Sequence, residues 1–220
     1  MSKKKFTNTK STRRNFIGKL AISTSFVFAV SKLLKYAEAA LLPTPSQGEG
    51  PFYPIEKPLD QDADLTFVDS RKEQALGDVH IVQGRVLNRS GKPASNALVE
   101  IWQANKWGRY QDKRDQSSLP WDKNFQGYGR VQTDDEGRYV FKTIKPAGYS
   151  QGAMQRPPHI HFKVNLGGYD ELITQMYFAG EPKNKMDLIL SETREKEQLI
   201  IKFTPLADGK KIGNFDLFLH

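Results

Sequence analysis

Arg156-Pro157-Pro158-His159-Ile160-His161-Phe162-Lys163-Val164 is the stretch on which the rest of the chain turns. Its residues alternate from His159 onward as a strand requires, and Pro157 and Pro158 rigidify its start. Alternate side chains of a strand share one face, so His159 and His161 aim at a single point where a metal ion fits. A bland alternative is a pair of satisfied histidines on a half-buried sheet.

Outward from this segment, further candidate strands cover residues 78–87, 97–103, 129–133, 138–144, 172–178, 198–203 and 214–219, with 159–164 as the eighth. Turn signals separate them: Asn88-Arg89-Ser90-Gly91, Asp134-Asp135-Glu136-Gly137, Gly167-Gly168 and Asp208-Gly209. Short strands punctuated in this way predict an all-β fold, an antiparallel β-sandwich of about eight strands with long functional loops. Residues 106–126 form a long polar loop of the kind that carries function or meets a partner, and residues 181–198 hold one short helix. Residues 41–220, about 180 in all, suffice for one well-cored domain. No repeat or low-complexity tract interrupts them.

Imidazole suits Zn, Cu, Fe and Ni alike, so the histidines do not choose the metal. The chain has no Cys, which excludes a thiolate site and leaves hard oxygens as the remaining donors. Two tyrosines follow strands: Tyr110, at the end of Gly108-Arg109-Tyr110, and Tyr149, at the end of Lys145-Pro146-Ala147-Gly148-Tyr149. Phenolate is a poor zinc ligand and a good one for Fe(III), which can lower the phenol pKa from about 10 to neutrality. Tyr128 is a rival to Tyr149, and both Tyr110 and Tyr149 have the alternative of being hydrogen-bonded loop aromatics. Tyr139 reads as a core aromatic, His80 and His220 as structural or solvated, and Tyr53 as a residue lining a cleft.

Four motifs occur in order: Thr44-Pro45-Ser46-Gln47-Gly48-Glu49-Gly50-Pro51-Phe52-Tyr53, Ile101-Trp102-Gln103-Ala104 with Gly108-Arg109-Tyr110, Arg156-Pro157-Pro158-His159-Ile160-His161-Phe162, and Thr174-Gln175-Met176-Tyr177-Phe178. Together they resemble the core of the intradiol ring-cleavage dioxygenases, in particular the protocatechuate type, over most of residues 41–220. The resemblance implies one non-haem Fe(III) per chain, with Tyr110 as the equatorial phenolate, Tyr149 as the displaceable axial phenolate and base, and His159 and His161 as imidazole ligands. It also implies Arg156 and Gln175 beside a catechol-type substrate, with O2 as co-substrate and a muconate as product. One departure stands out: the family usually has Pro-Gly-Pro-Tyr-Pro where this chain has Lys-Pro-Ala-Gly-Tyr-Ser. The implied ligand set balances charge, because a catechol dianion that replaces Tyr149 and a hydroxide leaves the total unchanged.

Residues 1–40 are a different kind of sequence. Lys3, Lys4, Lys5, Lys10, Arg13 and Arg14 precede an apolar run, Ser11-Thr12-Arg13-Arg14-Asn15-Phe16-Ile17 resembles a twin-arginine export signal, and Ala37-Glu38-Ala39 offers a small-x-small cleavage pattern. An exported, periplasmic protein with transient contact to the export machinery is the expectation; an uncleaved amphipathic anchor is the alternative. The leader also explains the net charge of +8, since it carries nine basic residues and one acid and leaves 24 of each in residues 41–220. A neutral domain gives no reason to expect nucleic-acid binding.

Gly84-Arg85-Val86 through Pro93, Ala97-Leu98-Val99, Thr133 to Tyr139 and Pro146 to Tyr149 also resemble prealbumin-like binding modules, which bind or scaffold without catalysis. Such modules have no need of His-x-His or of Gly-Arg-Tyr. A zinc hydrolase finds no third ligand at convincing spacing. The identity of the catechol, and assembly with like or related chains, are left open by the sequence.

Overall fold

The protein is described by a computed structural model over residues 42–69, 71–152 and 154–220, and among these residues strands make up nearly all the regular structure. The expected leader over residues 1–40 lies outside the described residues. In chain order the strands are β1 (Val79–Leu87), β2 (Leu98–Trp102), β3 (Tyr128–Gln132), β4 (Arg138–Ile144), β5 (Tyr149–Gln151) and β6 (Met154–Arg156). They continue with β7 (His159–Asn165), β8 (Leu172–Phe178), β9 (Ile200–Ile201), β10 (Thr204–Pro205), β11 (Lys211–Asn214) and β12 (Leu217–Phe218). Among the described residues one α-helix, α1 (Leu188–Glu192), lies between two 3-10 turns at Pro182–Met186 and Lys196–Leu199.

One sheet centres on β1, which is antiparallel to β4 on one edge and parallel to β11 and then β12 on the other. The second has the order β3-β2-β7-β8-β9. Val82, Val86, Phe141 and Ile144 of the first sheet join Val99, Ile101, Ile160, Phe162 and Met176 of the second in one buried cluster. Each fully buried side chain of this size contributes roughly 1.5–3 kcal/mol, so the shared core holds the two sheets in place. Gln103 adds a polar staple: its amide donates to the Ile144 carbonyl at 2.9 Å and accepts from Thr143 Oγ1 at 2.8 Å.

Among the described residues the all-β expectation holds, while the antiparallel, eight-stranded expectation needs correction to twelve strands in mixed sheets. β9 pairs parallel to β8 because residues 179–199 provide the long crossover that parallel neighbours need. The strand expected over 214–219 is broken in two. Phe215 turns its carbonyl to the Tyr139 hydroxyl, and Asp216 Oδ1 accepts from Arg85 N at 2.9 Å, so two residues leave the ladder. Gly84 makes room for that bulge, since a Cβ there would lie 2.1 Å from the Phe215 carbonyl oxygen. The strand expected over 198–203 shrinks to Ile200–Ile201, because a 3-10 turn starting behind left-handed Glu195 takes its first residues. Tyr149, expected in a loop, opens the β5–β6 hairpin instead.

Candidate metal centre

β7 is the middle strand of its sheet, and its two faces differ in chemistry. Ile160 and Phe162 point into the shared core, which sends His159 and His161 to the outer face. Register then supplies their neighbours: Trp102 and Gln175 flank His161 on β2 and β8, and Tyr177 lies opposite His159. Trp102 stacks on the His161 ring at 4.7 Å with an interplanar angle of 11°, fixing its orientation.

Tyr110 arrives from the loop after β2. Asn105 folds that loop, its Oδ1 accepting from Trp107 N at 2.9 Å and Arg109 N at 3.1 Å, and Gly108 takes a φ of +94° that side chains avoid. Asp115 Oδ2 then accepts from Tyr110 N at 2.7 Å. Phe52 stacks on the Tyr110 ring at 4.6 Å. The outcome is a convergence: Tyr110 Oη lies 3.2 Å from His159 Nε2 and 3.1 Å from His161 Nε2. Tyr149 closes the group, its ring 5.4 Å from Tyr110 and 5.6 Å from His159. All four side chains are buried.

Proton placement follows from the partners. His159 Nδ1 lies 2.7 Å from the Pro157 carbonyl oxygen, which can only accept, so Nδ1 carries the hydrogen and Nε2 offers its lone pair to the centre. Burial first, then the charge of Arg156, pushes His159 down to about 3. Burial, His159 and Arg156 push His161 well below the ordinary range. Burial raises Tyr110, with Tyr149 adding to it, and burial raises Tyr149 against the opposing pull of Tyr110 and Arg156. Two neutral imidazoles whose Nε2 atoms converge on the Tyr110 hydroxyl, and two phenols that do not ionise unaided, form a donor set that a hard, highly charged cation completes. The residues fit such an ion.

Arg156 faces Tyr149 across the hairpin. Its Nη2 donates to Gln175 Oε1 at 2.6 Å and Tyr177 Oη at 3.2 Å, while its Nε donates to Asp187 Oδ2 at 2.6 Å. The partner is thus a buried carboxylate. Asp187 carried no functional signal in the sequence. Trp102 and Tyr177 belong to the motifs, yet their places opposite His161 and His159 come from strand register. Gly50 adds another contact, with a φ of +75° and a Cβ position 3.2 Å from His161 Cε1.

The remaining candidates separate cleanly. Tyr128, the rival to Tyr149, gives its hydroxyl to Glu100, as does Tyr53 at 3.2 Å, with Lys57 Nζ 3.1 Å from the same carboxylate. Tyr139 is a core residue bonded to Phe215. His80 Nδ1 lies 2.9 Å from the Asp78 carbonyl oxygen and its ring packs on Phe178 and Phe203; His220 is exposed. The long loop borders a cavity of about 920 Å³ whose lining includes Phe52, Trp102, Tyr110 and Trp121.

Comparison with known proteins gives the same direction. A family model described as "Dioxygenase" matches residues 48–219. The protocatechuate 3,4-dioxygenase beta chain of Burkholderia cepacia is 44% identical over 180 residues, covering 77% of this chain and 76% of that protein. Catechol 1,2-dioxygenase 2 of Acinetobacter lwoffii is 36% identical over 155 residues, covering 63% of this chain and 52% of that one, so the chain spans about half of this longer relative. Among solved structures, the dioxygenase domain of a dioxygenase–carbohydrate-binding fusion from Streptomyces sp. SirexAA-E superposes with a TM-score of 0.61 at 29% identity, covering 81% of this chain and 98% of that one. The reading as a non-catalytic binding module is not favoured. With these matches and the buried Tyr-His cluster before us, the chain belongs to the intradiol dioxygenases, a family of oxidoreductases.

Proposed function

We propose that Tyr110, Tyr149, His159 and His161 hold one non-haem Fe(III) ion, on a two-layer β-sandwich scaffold, and that the enzyme opens a catechol-type diol with O2 to a muconate. The observation that carries the ligand assignment is the approach of Tyr110 Oη to within 3.2 Å of both Nε2 atoms. Two phenolate oxygens and two imidazole nitrogens suit ferric iron better than zinc, and the chain has no thiolate to offer a softer ion. When bound, the ion supplies the Lewis acidity that ionises the phenols and makes a bound catecholate reactive toward O2.

The chain's own groups do the rest. Tyr149, on a three-residue strand rather than in a main sheet, would be the displaceable holder of the ion and the base whose Oη takes a proton from a catechol hydroxyl. Arg156, buried and always charged, stabilises the carbanion and oxyanion charge that develops on the substrate. Gln175 orients the guanidinium through its 2.6 Å contact. Phe52 and Trp102 flank the cluster with apolar rings, which lowers the local dielectric and strengthens these interactions. We further propose export by the twin-arginine route before the enzyme acts.

Purified protein loaded with iron should be red to burgundy from phenolate-to-iron charge transfer, with about one iron per chain. Tyr110→Phe should remove most of the colour and the activity. A colourless iron-loaded wild type would defeat the ferric-tyrosinate assignment, and a yellow semialdehyde product would place cleavage beside the diol and change the reaction class.

A further inference from the structure

Arg156 is gripped from three sides, and one grip is of a different nature from the others. Gln175 and Tyr177 are neutral; Asp187 is a carboxylate with its side chain fully buried, and the arginine side chain it meets is only 5% exposed. The same Asp187 starts α1, where its Oδ1 accepts from Leu190 N at 2.7 Å. Thr193 ends the helix, its Oγ1 donating to the Ile189 carbonyl at 2.7 Å and accepting from Gln47 Nε2 at 2.9 Å. Gln47 Oε1 accepts from Tyr177 Oη at 3.2 Å, and Tyr177 returns to Arg156. Both ends of α1 are therefore wired to one guanidinium.

Capping a helix does not require a charge, since Ser, Thr or Asn satisfies the orphan N–H as well as Asp does. Burying a carboxylate is costly unless a cation meets it, and here the cation is the group that faces Tyr149. The aspartate is demanded by the arginine and not by the helix. Arg156 sits on a hairpin of two three-residue strands, too short to hold a long side chain in one rotamer unaided.

We propose that Asp187 is a positioning residue for the ring-opening reaction, its carboxylate anchoring the Arg156 guanidinium to α1 so that the charge stays beside Tyr149. This rests on the reading of Arg156 as the group that stabilises charge on the substrate. Asp187 itself touches no reacting atom. Its effect belongs to the chemical step, because the ion pair is already formed before substrate arrives.

Asp187→Asn keeps the cap and removes the charge. With catechol as the probe, kcat should fall roughly 10- to 100-fold, the scale of a small misplacement of a catalytic group. The anaerobic dissociation constant for catechol should change by less than about threefold, because ground-state binding is not what the anchor serves. In an Arg156→Ala background the same substitution should change kcat by less than about twofold, as expected for two residues acting through one another. Asp187→Glu, which keeps the charge one methylene out of place, should give an intermediate loss, and it carries the cycle if the Asn variant does not fold. Equal losses in both backgrounds would overturn the proposal and leave Arg156's role standing. An Arg156→Ala enzyme with undiminished kcat would overturn both.

Discussion

His159 holds its proton less firmly than any solvated imidazole, and this sets an acid limit on the protein. Its native pKa is pushed down to about 3 by burial and by Arg156, whereas in the unfolded chain it returns to about 6.5. Between those values the unfolded state binds a proton that the native state refuses. Stability is therefore fully present above about pH 6.5 and drains away as pH falls, at about 1.4 kcal/mol per pH unit for this residue, until about pH 3. His161 is shifted in the same direction. Chelator-stripped protein should lose urea midpoint steadily from pH 6.5 to 3.5, and His159→Gln should flatten that slope; identical slopes would mean the imidazole charges freely in the native state. The pairing of His159 with His161 was legible from spacing, because a strand puts alternate residues on one face, whereas Tyr110 was marked only by the motifs that resemble the family. Asp187 was not, since its partner lies 31 residues away and its local role is that of any helix cap.

The β5–β6 hairpin carries both Tyr149 and Arg156, and it is joined to neither main sheet. What fixes it is backbone packing at its base. A Cβ on Gly148 would lie 2.5 Å from the Arg156 carbonyl oxygen, and one on Gly108 would lie 2.7 Å from the Gly148 carbonyl oxygen and 3.2 Å from Tyr149 Cβ. Backbone atoms cannot swing aside as a side-chain end can. Gly148→Ala should cost about 1–3 kcal/mol, as overpacking does, and should weaken the charge-transfer band by displacing Tyr149. Gly167→Ala is the control, because nothing lies within 4 Å of its Cβ position. A Gly148→Ala protein with unchanged midpoint and spectrum would show that the base of the hairpin is looser than its packing implies. The sequence concealed this element. Ser150-Gln151-Gly152 and Met154-Gln155 show no apolar alternation, since the hairpin buries little beyond its first and last residues. By contrast β4 and β8 ran over the residues expected, because both pack alternate side chains on the core and are bounded by clear turns.

At the scale of the whole chain, charge and topology bear on the proposed export. Residues 41–220 carry equal numbers of basic and acidic side chains, so the surplus of +8 resides in the first forty residues. The candidate ligands come from a loop after β2, from β5 and from β7, and such separated donors converge only in the folded state. A pathway that moves folded proteins would let iron be loaded before the enzyme leaves the cytoplasm. A pathway that threads unfolded chains would not. Replacing Arg13 and Arg14 together by Lys keeps the leader's charge and removes only the arginine pair, which separates specific recognition of that pair from general basicity. The double variant should accumulate in the cytoplasm uncleaved, iron-loaded and active. If it is instead exported and trimmed near Ala39, the leader is an ordinary secretion signal, and the Tyr110-Tyr149-His159-His161 cluster must capture its iron after the chain has crossed and folded.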